Sequence, residues 1–229
     1  MPKSKQYWTD KLGQGWAMAL KDILKSSYMD KLEEFLALEY ATNRVHPHNL
    51  DIYKYFKLCP REELKMVIMF KEPGVDTSIF PHNYSDNYID ELHNASLNKI
   101  FECIKEQYDN GEGIFWSFDH SFETWAKQGV LILPTRLTTR TGRDHSKAWK
   151  KFISSVIEDI KTYSPGTCFL LWGDEAKDYS ESLSYNQHVF SWESPANAFR
   201  EDRPWECPNF KAVDILLEYL YGKKNNIQW

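Results

Sequence analysis

The chain has 229 residues, of which 42% are hydrophobic and 15% aromatic, and its formal net charge is −5. That length and apolar share suit one α/β domain over 1–229 with a real core. The acidic balance excludes a globally basic nucleic-acid binder, although a local basic face can sit on an acidic protein.

The N-terminus M-P-K-S-K-Q-Y-W carries no signal-like apolar stretch, and no apolar run reaches membrane-spanning length. The expectation is a cytoplasmic protein with no membrane partner. Cys59, Cys103, Cys168 and Cys207 are widely spaced with no C-x-x-C pair, which argues against zinc, iron–sulfur ligation and a disulfide framework. No metal or other cofactor is expected, and the chain is expected to act as a monomer. The abundant Trp, Tyr and Phe suit core packing more readily than base stacking.

Trp16, Leu20, Ile23, Leu24, Leu32, Phe35 and Leu36 recur at helical spacing and predict one or two helices over 16–40. Met66 to Phe70 is a short continuous apolar run closed by Pro73-Gly74, which reads as a buried strand ending in a loop. Ser96 to Tyr108 opens on a capping residue and carries Leu97, Ile100, Phe101 and Ile104 on one face, a helix. Val130 to Leu133 reads as a second buried strand, stopped by Pro134. A helix from Trp149 to Ile160, strands at Cys168–Trp172 and His188–Trp192, and a helix from Ala212 to Tyr221 complete the chain.

Strands alternating with helices predict an α/β fold: a central, mainly parallel four-stranded sheet flanked by helices on both faces. Ligands of such sheets gather beyond the carboxyl ends of the strands. The segments to search are therefore Lys71–Val75, Pro134–Arg140, Gly173–Lys177 and Glu193–Arg200.

Several segments carry a resemblance to one family. K-M-V-I-M-F-K-E-P-G-V over 65–75, W-A-K-Q-G-V-L-I-L-P-T-R-L-T-T-R, F-L-L-W-G, a late H-V and a terminal I-Q-W resemble, in order and spacing, the family 1 uracil-DNA glycosylases. F-L-A-L-E-Y and Y-F-K-L-C-P resemble the family's lead-in to its first strand, so the likeness covers nearly the whole chain. It implies a uracil-DNA-glycosylase-like fold that grips DNA and flips a base.

The resemblance also shows where the reactive letters differ. The family follows its first strand with G-Q-D-P-Y-H; here those places are Phe70, Lys71, Glu72, Pro73, Gly74 and Val75. Glu72 falls on the catalytic aspartate, keeping the charge with one more methylene, and is the expected catalytic carboxylate. Lys71 replaces a glutamine, and can bind a phosphate or a sugar hydroxyl or point to solvent. Gly74 replaces the tyrosine that stands against C5 of the pyrimidine. It either opens the pocket to a bulky C5 substituent or is a plain turn glycine.

Pro134 replaces the asparagine that pairs with the uracil edge and has no N–H to donate, so Thr135, Arg136 or Thr138 must supply any substitute contact. Arg140 and Arg143, with Lys147 and Lys150, can touch phosphate or form a solvated face. In H-V-F-S-W-E-S-P-A-N-A-F the catalytic histidine becomes Ser194, with Glu193 one residue away, and Pro195 is retained. The intercalating leucine falls at Ala198, with Phe199 beside it as an alternative wedge and Arg200 following as a DNA contact. The base-stacking phenylalanine becomes Ser85, with Tyr84, Tyr88 or Phe80 able to take its place.

Two functions follow. One is a monofunctional DNA glycosylase that excises a bulky C5-modified pyrimidine, such as hydroxymethylated or glucosylated hydroxymethylcytosine, leaving an abasic site. Modified phage DNA is then the expected partner and anti-phage defence the expected role. The other is a catalytically inactive DNA- or protein-binding module on the same fold.

Overall fold

The computed structural model describes residues 3–71, 95–109, 117–183, 186–222 and 226–229. Four short helices come first: α1 (Lys5–Leu12), α2 (Gln14–Ala19), α3 (Lys21–Leu24) and α4 (Ser27–Thr42). Residues 16–40 thus break into three helices rather than one or two. The chain turns at Leu20 and again at Lys25, and Ser26 caps α4 by accepting from the Met29 N–H at 3.4 Å.

After α5 (Lys54–Leu58) come β1 (Met66–Met69), α6 (Ala95–Tyr108), α7 (Glu123–Ala126) and β2 (Val130–Ile132). Then follow α8 (Ser146–Tyr163), β3 (Cys168–Trp172), α9 (Asp174–Lys177), β4 (His188–Trp192), α10 (Pro195–Arg200) and α11 (Asn209–Tyr221). The strands form one four-stranded sheet in the order β2-β1-β3-β4, with every pairing parallel. The predicted α/β architecture is the observed one.

Strands β1, β2 and β3 are apolar and buried throughout because both faces of the sheet are covered there. Val67, Met69, Leu131, Phe169 and Leu171 face one core with α1, α2, α4 and α8. Met66, Ile68, Val130, Ile132, Leu170 and Trp172 face the other, with α6 and α11. Each fully buried side chain of this kind contributes roughly 1.5–3 kcal/mol. The aromatic residues serve these cores: Trp16, Trp125, Trp149, Trp172 and Trp205 are all fully buried. Strand β4 alternates between half-buried and exposed positions, as an edge strand does.

The glycine of W-A-K-Q-G is required by backbone approach. Gly129 enters β2 at φ +97°, and a Cβ there would overlap the carbonyl oxygen of Glu63. Among the described residues no helix is long and apolar enough to cross a membrane.

Candidate active site

The carboxyl ends of the strands converge as the parallel order requires. Beyond the formal ends of β1 and β2 the ladder continues: Leu133 N–H donates to Ile68 O at 2.9 Å and Thr135 N–H to Phe70 O at 2.8 Å. Pro134 lies between these two donors, so its nitrogen faces away from β1. Because β2 is an edge strand, a proline there removes no ladder hydrogen bond. The position is buried, and it offers a ring where an amide would offer a donor.

The three residues after Pro134 that were open as substitutes separate cleanly. The Thr135 hydroxyl donates to Lys71 O at 2.6 Å, tying the β1 and β2 ends together. Thr138 is fully buried; its hydroxyl accepts from the Trp149 indole at 2.7 Å and lies 2.9 Å from His145 Nδ1. Arg136 alone of the three lines an open space.

That space is a pocket of about 300 Å³ walled by Lys71, Arg136, Thr139, Arg140, Gly142, Arg143, Asp144 and Glu175. The Arg136 side chain is only 3% exposed, yet its guanidinium pairs with two carboxylates, Asp144 and, at 2.6 Å, Glu175. Lys71 Nζ sits 3.2 Å from the other Glu175 oxygen. Burial pushes the Asp144 carboxyl up, but hydrogen bonds from Ser146 and the Arg136 charge outweigh it and hold the group below its ordinary range.

Arg140, the expected phosphate contact, turns inward with Arg143. Arg140 Nε donates to Glu39 Oε2 at 2.6 Å, and Arg143 reaches the other Glu39 oxygen. His145 Nε2 stands 3.6 Å from the same carboxylate. Glu39, 2% exposed, is the functional-region residue that sequence reasoning missed. Its signal was available: Met29, Leu32, Leu36 and Glu39 share the buried face of α4, so an acid occupied an apolar register. Arg143 remains half exposed, and Arg140 is an ion-pair residue first.

At the end of β4, Ser194 caps α10, its hydroxyl accepting from the Ala196 N–H at 3.3 Å while keeping its own hydrogen to donate. Gly173, the glycine of F-L-L-W-G, is packed against it: at φ +88°, a Cβ there would stand 3.1 Å from Ser194 Cβ. The β3 and β4 ends therefore meet at Gly173 and Ser194. Glu193 is held by both guanidinium nitrogens of Arg203, at 2.7 and 2.6 Å, and this pairing keeps its carboxyl below the ordinary range. In this arrangement Glu193 is ionised and doubly bonded to Arg203, and has no proton to give.

Pro195 is buried at the first position of α10. Ala198 is fully buried in the second core, which corrects its expected place at the DNA surface. Phe199, beside it, is half buried, and the exposed Arg200 bonds to Asn197. Glu72, Gly74, Tyr84 and Ser85 lie outside the described residues, as do Phe80 and Tyr88. Among the described residues no cluster of His, Cys, Asp and Glu is arranged to hold a metal.

No protein-family model matches the chain. Individual proteins do. The chain is 32% identical over 224 residues to a uracil-DNA glycosylase of Clostridium perfringens, covering 93% of this chain and 96% of that protein. It is 30% identical over 233 residues to the uracil-DNA glycosylase of Bacillus pumilus, with 94% and 95% covered. Among solved structures, the mimivirus uracil-DNA glycosylase matches with a TM-score of 0.73 at 14% identity, over 93% of this chain and 86% of the other. The wild-type UNG of Nitratifractor salsuginis matches with a TM-score of 0.56 at 16% identity, over 99% of both chains.

Proposed function

The chain belongs to the uracil-DNA glycosylase family, and from that premise we propose that it is a DNA glycosylase for a bulky C5-modified pyrimidine. It flips the base from the duplex and hydrolyses its N-glycosidic bond. The C1′–N bond breaks with its electron pair on the base, water adds to C1′ and gives up a proton, and the departing base takes up a proton, leaving an abasic site. The substrate class is hydroxymethylated or glucosylated hydroxymethylcytosine, which makes modified phage DNA the natural target and anti-phage defence the role.

Glu72 places the water and stabilises the oxocarbenium-like sugar through its negative charge. Ser194 donates its hydroxyl hydrogen to the departing base; a neutral donor there stabilises a developing anion less than a charged one would. Phe199 fills the gap left by the flipped base, and the flipping cost of a few kcal/mol is offset by backbone contacts. Gly74 leaves the C5 side open, and Lys71 and Pro134 stand on the base pocket.

The observation that carries this reading is the pairing of Pro134 with the charged pocket directly after it. The uracil-reading donor is replaced by a ring that donates nothing, and Arg136 and Asp144 of the chain beyond it build a polar cavity with Lys71 and Glu175. A site for plain uracil needs the first and has no use for the second.

A second reading keeps the fold and drops the chemistry, leaving a DNA- or protein-binding module. Its support is the commitment of Arg140 and Arg143 to Glu39 rather than to an open basic face. Glu72 discriminates the two. Substitution Glu72→Gln silences an enzyme and leaves a binder's affinity unaltered, so parallel excision and DNA-binding assays on that variant separate them.

A further inference from the structure

We propose that Asp144 and Glu175, set from behind by the buried Arg136 and flanked by Lys71 and Arg143, form a subsite for a sugar ring carried on C5 of the flipped base. This subsite rests on the glycosylase reading above and specifies what the modified base carries.

Charge balance comes first. Four cations line or reach the pocket (Lys71, Arg136, Arg140 and Arg143), and three carboxylates answer them: Asp144, Glu175 and, beneath, Glu39. Arg136 is shared between Asp144 and Glu175, Lys71 meets Glu175, and both remaining arginines meet Glu39. A phosphate entering this space would find each cation already engaged with a carboxylate, a single excess positive charge spread over the four, and two carboxylates on the wall. Its field is therefore a poor trap for an anion.

The same wall suits hydroxyl groups. A sugar hydroxyl donates and accepts at once; carboxylate oxygens take its hydrogen, and lysine or arginine N–H groups fill its lone pairs. Such charge-assisted bonds are about twice as strong as neutral ones. The side chains that would make them are reachable, with Asp144 61% and Glu175 42% exposed. Arg136 is a positioning residue, since its buried guanidinium fixes both carboxylates at once.

Size and place agree. A volume of about 300 Å³ is at the lower end for small-ligand pockets and has room for one sugar ring. The walls come from the segments after β1, β2 and β3, where a parallel sheet collects its ligands.

The test is fluorescence anisotropy of the purified protein on two duplexes identical but for one nucleotide, 5-hydroxymethylcytosine or its glucosylated form. Both carry a 2′-fluoroarabino sugar, whose fluorine resists glycosidic cleavage. The expected result is a Kd about tenfold lower for the glucosylated duplex, the increment of a charged hydrogen bond or two. Glu175→Gln and Asp144→Asn should each bring the ratio toward one, with thermal melts reporting that the variants fold. Lys71→Met, at an exposed side chain, serves where neither isosteric variant folds.

A ratio of one in the unaltered protein overturns the subsite. So does a ratio that survives the substitutions while both Kd values rise together, the signature of a backbone contact. Excision of the same bases on ordinary deoxyribose reports the glycosylase reading separately. Excision with a ratio of one removes the subsite alone, whereas a tenfold ratio without excision supports the subsite and removes the enzyme.

Discussion

Arg140 donates its Nε–H to the buried carboxylate of Glu39 at 2.6 Å, joining two residues 101 positions apart. Through that bond and the companion Arg143 pair, the N-terminal helix α4 holds the loop between β2 and α8, which forms most of the pocket wall. Residues far from the strand ends thus set the geometry there.

Substitution Glu39→Gln keeps the shape and removes the charge, leaving Arg140 partly buried without its counter-ion. Breaking one side of a buried ion pair costs about 3 kcal/mol, at the low end of its range because Arg143 is half exposed. For a chain of this size the melting temperature should fall by roughly 6–12 °C. Calorimetry of the variant measures it. A shift within a degree of zero would mean that the cluster is a solvated decoration.

Two groups of this cluster make stability fall on acidification. Burial, with the Arg143 and Arg140 charges, outweighs Glu39 and holds the His145 imidazole below its ordinary 6.5, so the folded protein keeps it neutral while the unfolded chain takes up a proton. Stability is therefore full above that value and declines as pH falls through it. For Glu39, burial raises the carboxyl, but Arg140, Arg143 and His145 together hold it below its ordinary 4.5. Its contribution is present above that value and is lost as pH falls further. Melting temperatures from pH 8 to pH 3, compared with those of His145→Gln, should show the first decline removed and the second kept.

Strands β1, β2 and β3 were legible because each is a short apolar run bounded by a breaker and buried on both faces; the bounds of β3 and β4, Cys168–Trp172 and His188–Trp192, match residue for residue. Helix starts were less so. Helix α8 begins at Ser146 because Asp144 accepts the Ser146 N–H at 2.8 Å, and α11 begins at Asn209 directly after Pro208; apolar spacing shows neither cap. Of the candidate site, Pro134, Ser194 and Gly173 stood at recognisable strand ends. Glu39 was hidden because an acid on an apolar helix face is discounted by its type. The choice of Arg136 over Thr135 and Thr138 depended on Glu175, which arrives from 39 residues further along the chain.

Gly173→Ala should damage the site as well as the fold. The added methyl forces φ +88° on an alanine and presses on Ser194 Cβ at 3.1 Å. Excision should drop by more than the loss of folded protein accounts for. Activity normalised to the folded fraction checks this, and an unaltered normalised rate would separate Gly173 from the chemistry.

Ser194 and Glu193 should part under single-turnover kinetics. Ser194→Ala removes the one hydrogen bond assigned to the departing base and should lower the rate about 100-fold, the low end for a lost donor, with substrate affinity nearly kept. Glu193→Gln disturbs only the Arg203 pair and should leave the rate far closer to that of the unaltered protein. The reverse order would return the leaving-group role to Glu193.

The central claim is excision of a bulky C5-modified base, and one assay addresses it most directly. The purified protein is incubated with duplexes carrying uracil, thymine, cytosine, 5-hydroxymethylcytosine, glucosylated hydroxymethylcytosine or 5-hydroxymethyluracil, and alkali converts abasic sites to strand breaks. The predicted result is breaks confined to the bulky C5 bases and absent with Glu72→Gln. Breaks at uracil alone, or none on any duplex while DNA binding persists, would contradict it.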